Sequence, residues 1–169
     1  MASERQWQAV DAYLKETILA PDPALDAALA ANADGGLPSF DVSAPQGKLL
    51  YLMAKMAGAV KALEIGTLGG YSSIWIDRAL PPHGRLVTLE AAPAHAEVAQ
   101  ANLSRARLAA KVDVRVGPAL ASLPEFEKEG LQPFDFVFID ADKANNGAYL
   151  DWALRVAVGN RDRGRQRRP

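Results

Sequence analysis

The alternation of strand and helix patterns from Val60 onward predicts an α/β fold with a doubly wound, mostly parallel sheet and right-handed crossovers. Two further observations support that class. Leu86-Val87-Thr88-Leu89 and Phe134-Asp135-Phe136-Val137-Phe138-Ile139 are mostly apolar runs, as strands buried on both faces must be. The stretch from Val60 to Ser72, with Glu64-Ile65-Gly66-Thr67-Leu68-Gly69-Gly70 at its centre, reads as a buried strand that breaks into a glycine turn and opens a helix. That is the geometry by which α/β proteins hold nucleotide-like ligands.

The elements follow in order. Trp7, Val10, Leu14 and Ile18 recur at helical spacing, and Pro21 and Pro23 end that helix. An alanine-rich second helix runs from Asp22 to Ala33 and is closed by Asp34-Gly35-Gly36-Leu37-Pro38. Ser43-Ala44-Pro45-Gln46 is a capping box with proline in the first turn, opening a helix that carries Leu49, Leu50, Met53 and Met56 toward a core. Strands are predicted at Val60 to Ile65, Arg85 to Glu90, Lys111 to Val116 and Phe134 to Asp140. Helices are predicted at Tyr71 to Leu80, Pro93 to Leu108, Ala119 to Lys128 and Asn145 to Val158. Residues 1–158 form one domain, with N-terminal helices in 1–42 and the ligand-binding core in 43–158; residues 159–169 are an arginine-rich tail. No further apolar strand follows, so the fourth strand is expected at or near a sheet edge.

Composition narrows the class. A chain of 169 residues with 49% hydrophobic and 23% charged residues is an ordinary globular domain. The absence of cysteine excludes disulfides and thiolate metal sites and fits a reducing, cytoplasmic setting. No secretory signal and no membrane-spanning apolar run is present. The net charge of −1 hides an asymmetry: the last nine residues hold five arginines and one aspartate, leaving a body of 14 basic and 19 acidic residues, net −5. An acidic body excludes a general nucleic-acid-binding domain, and the tail reads as a solvated end.

The chemistry sits at strand ends, because ligands of open α/β sheets lie outside the carboxyl ends of the strands. Three acids stand there: Glu64, Glu90 and Asp140. Backbone N–H groups at a helix N-terminus favour an anion such as a pyrophosphate, but a carboxylate beside them repels it and attracts a cation. Glu64 therefore points to an adenosine-type ligand with positive charge near the turn, which fits S-adenosylmethionine (SAM) better than NAD. Glu90 lies 24 residues after Gly66, close to the roughly twenty-residue offset at which an acid accepts ribose hydroxyls. The second constellation is Asp140-Ala141-Asp142-Lys143. Two carboxylates suit Mg²⁺, Ca²⁺ or Mn²⁺, with the lysine as a base; an ordinary helix-start cluster is the equal alternative. His83 reads as a turn residue and His95 as part of an amphipathic helix. Trp7, Trp75 and Trp152 read as core or interface residues.

Together these motifs resemble the cation-dependent O-methyltransferases, the catechol and caffeoyl-CoA type with small bacterial members. The resemblance rests on Leu63 to Ser72, on Gly117-Pro118-Ala119-Leu120 and on Phe138 to Asn145, and spans roughly Ser43 to Leu154. It implies a Rossmann-like SAM methyltransferase fold. It places Glu64, Gly66, Thr67 and Ser72 on the methionine part of the cofactor, with Val42 lining the same pocket. Glu90 would hold the ribose and Ala119 would lie near the adenine. Asp140 would ligate a divalent metal, most simply Mg²⁺, and border the cofactor, and Lys143 would be the base. The implied substrate is a small hydroxylated aromatic of catechol or caffeoyl type, and the implied assembly a homodimer.

The resemblance ends after about Ala157, where family members continue with a fifth strand, an Asp-Asn pair completing the metal site, and two more strands. The chain thus reads as a C-terminally truncated or frameshifted member lacking the last strands. The alternatives are a remnant that binds cofactor without catalysis, an NAD-dependent oxidoreductase, and an interaction protein working through the basic tail.

Overall fold

The computed structural model describes residues 3–157; Met1, Ala2, the end of the last predicted helix at Val158 and the tail at 159–169 lie outside the described residues. The elements are α1 (Glu4–Ile18), α2 (Pro23–Asp34), α3 (Ala44–Met56), β1 (Lys61–Ile65), α4 (Tyr71–Ala79), β2 (Arg85–Glu90), α5 (Pro93–Arg105), β3 (Val112–Val116), α6 (Ala119–Ser122), α7 (Glu125–Lys128), β4 (Phe136–Ile139), a 3₁₀ turn (Lys143–Asn145) and α8 (Asn146–Val156). Among the described residues the sheet has four strands in the order β3-β2-β1-β4, all parallel, so β4 is an edge, as expected. The chain winds outward through β1, β2 and β3, then crosses back to place β4 on the other side of β1. That reversal puts the topological switch point between β1 and β4, where such sheets bind ligands.

Strand alternation splits the core into two layers. Ala62 and Leu86 face the layer that holds Leu50, Ala54, Ile74 and Leu103. Leu63, Ile65, Val87 and Leu89 face Leu123, Phe126, Phe134 and Val156 on the opposite side. Phe126 and Phe134 are fully buried with ring centroids 5.7 Å apart, each contributing about 2–3 kcal/mol of burial. The caps follow the sequence: Asp22 accepts from the backbone N–H of Ala24 (3.1 Å) and Leu25 (3.2 Å), and Ser43 N donates to Gln46 Oε1 at 2.8 Å. Among the described residues no helix is long and apolar enough to cross a membrane.

Three expectations are corrected. The predicted helix from Ala119 to Lys128 is two short helices, because Pro124 lacks the N–H that a continuous helix would need. In α3 only Leu50 of the four expected residues is buried; Leu49 and Met53 are about half exposed and Met56 is 87% exposed. The buried face is instead Gly47, Leu50 and Ala54. A Cβ at Gly47 would overlap the Trp75 ring, so α3 and α4 approach closely through small residues, which carry little weight in a hydrophobic pattern. On α1 the stripe is not a core face: Trp7 is 63% exposed, and Val10 and Ile18 are exposed too. Trp75 and Trp152 are partly buried and pack against the core, as expected.

Candidate active site

A cavity of about 710 Å³ opens at the carboxyl ends of β1, β2 and β4, within the range of small-molecule sites. Its walls include Val42, Gly66, Thr67, Ser72, Glu90, Ala119, Asp140 and Lys143, so eight of the nine expected site residues converge there. They come from segments as distant as the strap before α3 and the turn after β4, and only the fold brings them together. Pro38, Phe40 and Asp41 of that strap, with His95, Asp142, Asn145 and Tyr149, also line it.

The glycine turn is shaped by backbone constraints. Gly70 N donates to Thr67 O at 2.8 Å, while Leu68 and Gly70 both hold positive φ, at 49° and 80°. Gly66 has φ 99° and lies against β4: Asp140 N donates to Ile65 O at 2.9 Å, and a Cβ on Gly66 would overlap the Asp140 carbonyl oxygen. A side chain at Gly69 would overlap Asn32. Asn32 and Asn102 are buried polar residues that the sequence reading missed. Asn102 Nδ2 donates to Gly69 O and to Asn32 Oδ1, both at 2.9 Å, and Asn32 Nδ2 donates to Asp41 Oδ1 at 2.9 Å. This chain of bonds pins α2, α5 and the strap to the turn. A signal existed: Asn32 continues the buried stripe of Leu25 and Ala28, where an unpaired amide would be costly.

Glu90 ends β2 against the cavity. Its carboxylate accepts from Leu68 N (2.8 Å) and Ala92 N (2.9 Å), and His95 Nδ1 lies 3.5 Å away. Two backbone donors fix the carboxylate, and each oxygen keeps a further lone pair for a ligand hydroxyl.

Glu64 is the exception to the expected convergence. Its side chain is fully buried and does not line the cavity. Ser72 Oγ donates to Oε1 at 2.6 Å, and Thr88 Oγ1 (2.7 Å) and Ser73 Oγ donate to Oε2. The acid therefore lies one layer behind the wall, and Ser72 intervenes between it and the cavity. Burial pushes its pKa up to about 7, against the pull of the three hydroxyls and with a further push from the Asp140 charge. Ser73 and Thr88 also escaped the sequence reading, although Thr88 is a polar residue inside an apolar strand.

On the opposite wall, the Asp142 carboxylate is already engaged. Its Oδ1 accepts from Asn145 N (3.0 Å) and Nδ2 (2.9 Å), and its Oδ2 accepts from Tyr149 Oη at 2.6 Å. These bonds hold the Asp142 pKa below the usual carboxylate range, the Tyr149 hydroxyl foremost. Asp142 thus braces the loop that presents Asp140 and Lys143. Among the described residues no group of three His, Cys, Asp or Glu side chains is placed to hold a metal ion. Asp140 alone does not meet the oxygen coordination a cation such as Mg²⁺ demands, so the described residues do not fit one.

A Rossmann-like parallel sheet, a glycine turn at its switch point and a strand-end acid bound to that turn define an α/β nucleotide-cofactor protein. Comparison with known proteins narrows the class. A family model described as O-methyltransferase matches residues 21–160, and the chain belongs to that family. It is 56% identical over 148 residues to a catechol O-methyltransferase of Mycobacterium tuberculosis, covering 88% of this chain and 66% of the relative. It is 48% identical to a catechol O-methyltransferase of Niastella koreensis, covering 89% of this chain and 68% of the relative. The chain therefore spans about two thirds of the length of these curated relatives. Among solved structures, an O-methyltransferase from Bacillus cereus in complex with SAH matches with a TM-score of 0.89 and 50% identity, over 90% of this chain and 70% of that one. The O-methyltransferase TomG from Streptomyces achromogenes, in complex with SAM, matches with a TM-score of 0.87 and 46% identity, over 93% and 70%. The oxidoreductase alternative finds no support in these relatives.

Proposed function

We propose that this chain binds SAM in the cavity at the β1–β4 switch point and serves methyl transfer to a hydroxyl of a small aromatic of catechol or caffeoyl type. The observation that carries the reading is Glu90, fixed by Leu68 N and Ala92 N at the cavity wall, where it can accept both hydroxyls of a ribose. The relatives' names support the class, and the SAH and SAM complexes of two structural neighbours support the cofactor. Val42, Gly66, Thr67 and Ser72 would then surround the methionine part, with Asp140 bordering it and Ala119 near the adenine.

In the reaction, an acceptor oxygen attacks the methyl carbon in line. The carbon–sulfur bond breaks, sulfur keeps the electron pair, and the product is S-adenosylhomocysteine (SAH). Lys143 lines the same cavity and is the candidate acceptor of the hydroxyl proton. Holding acceptor and methyl in register is the main contribution of such a site. The resemblance also implies a divalent cation with Asp140 as a ligand, but the donor set described above does not complete a site, and no step is routed through a metal. That same observation favours a second reading, in which the chain binds cofactor without turnover. A homodimer and a cytoplasmic setting follow from the resemblance and the composition.

Calorimetry with SAM tests the reading. The parent is expected to bind SAM with an affinity that Mg²⁺ does not alter, and Glu90→Ala to weaken it by at least about tenfold through loss of charge-assisted bonds. No heat with SAM under any condition would sink it. Mass spectrometry after incubation with catechol, SAM and Mg²⁺ separates the two readings: methylated product supports transfer, and binding without product supports the second.

A further inference from the structure

Helix α3 has two apolar sides, and the core described above uses one of them. Gly47, Leu50 and Ala54 face inward. Leu49, Leu52, Met53 and Met56 recur at i, i+3, i+4 and i+7, which lines them along the opposite side, and all four are exposed. Helix α1 packs beside α3 and leaves that stripe uncovered, adding Trp7 and Ile18, each 63% exposed. Among the described residues α1 has no buried residue. A lone helix of its 15 residues is marginal in water, since helices draw most of their stability from packing an apolar face. An exposed apolar patch beyond a few hundred Å² marks an interaction surface. These six side chains expose on the order of 800 Å², about what one partner contributes to a standard stable interface.

Charge selects the partner. Helix α3 carries Lys48 and Lys55 and no acid. Helix α1 carries Glu4, Asp11 and Glu16 against Arg5 and Lys15, and Lys15 is already tied to Asp26 at 3.1 Å. One chain therefore supplies an acidic and a basic helix at the same face. A two-fold axis that lays α1 of each copy on α3 of the other matches both charges twice and closes, recruiting no further copy. We infer that the outward stripe of α3 and the apolar side of α1 form a homodimer interface, a four-helix layer in which α1 of each copy lies on α3 of its partner. The spacing that sends Leu49, Met53 and Met56 toward a core is then right about their burial, and that core is shared between two copies. None of the six residues lines the cavity, so the interface leaves that site open and is independent of what it binds.

Sedimentation equilibrium on the full chain tests this. The parent is expected at twice its mass of 18.1 kDa. Met56→Lys, at a side chain that the described core does not use, and Trp7→Ala should each raise the dissociation constant at least about thirtyfold. Reversing the charge of α1 (Glu4→Lys with Glu16→Lys) or of α3 (Lys48→Glu with Lys55→Glu) should weaken self-association about tenfold, and an equimolar mixture of the two reversed chains should dimerise as the parent does. Mixing does not rescue a chain that fails to fold, so the mixture separates docking from a structural defect. A parent that stays monomeric at about 100 µM, a dimer indifferent to Met56→Lys and Trp7→Ala, or reversed chains that mixing leaves apart would overturn the inference. So would a monomeric parent that floats with vesicles of phosphatidylcholine and phosphatidylserine, which would assign the face to a lipid surface.

Discussion

Gly66→Ala is expected to destabilise the chain by at least about 3 kcal/mol and to abolish cofactor binding in whatever remains folded. Two penalties add at this residue. Its φ of 99° lies where an L side chain is strained, and the added methyl would overlap the Asp140 carbonyl oxygen. That oxygen belongs to backbone at the end of β4, held by the bond from Asp140 N to Ile65 O, so it cannot move aside as a flexible side chain would. Forcing it away separates β1 from β4 at the switch point and displaces Asp140 from the cavity. Gly58→Ala is the control. It also has positive φ, at 62°, but open space around it, and should cost only about 1 kcal/mol. Urea unfolding of both variants checks the pair. A Gly66→Ala midpoint as close to the parent as that of Gly58→Ala would show that the close approach is not there.

The second large effect is a pH dependence set by Glu64. Its folded pKa is raised from the ordinary 4.5 to about 7, first by burial. The folded state therefore holds a proton that the unfolded chain has released, in the window between those values. Stability from this group is fully present below about pH 4.5 and is lost as pH rises through 7, by about 3 kcal/mol in total. Asp41 and Asp77 are also raised by burial and add the same sign, whereas Asp22 is lowered, the Arg78 pair and the capping N–H bonds outweighing burial, and adds the opposite sign at lower pH. The difference between parent and Glu64→Gln isolates the one residue. Unfolding free energies at pH 5.5 and pH 8 should fall in the parent and change markedly less in the variant; parallel slopes would refute the assignment. A cationic ligand next to Ser72 should pull the same pKa down, so that the two effects meet at neutral pH.

Much of the cofactor end was legible because it is local. The order strand, glycine turn, helix lies within Val60 to Ser72, and Glu90 follows at the spacing that the next strand imposes. The four strands fell close to their expected places, β2 and β4 because their runs are mostly apolar. What misled was the size of side chains: Gly47 and Ala54 form the buried face of α3 while Met53 and Met56 face outward, since close helix packing rewards small residues that a hydrophobic pattern discounts.

The sequence by itself determined the fold class, the place of the cofactor turn, and the acids at three strand ends, because periodicity and turn chemistry act over a few residues. Only the tertiary structure decided which of those acids meets the cavity. Glu64 is withdrawn behind hydroxyls, one of them on Thr88, 24 residues away. The turn itself is held by Asn102, which donates to Gly69 O across 33 residues of chain and to Asn32 Oδ1 across 70. Asp142 braces the loop because Tyr149, seven residues on, donates to its carboxylate. Hydrogen-bond direction and burial depend on which groups become neighbours in space, and no local pattern in a single chain encodes that.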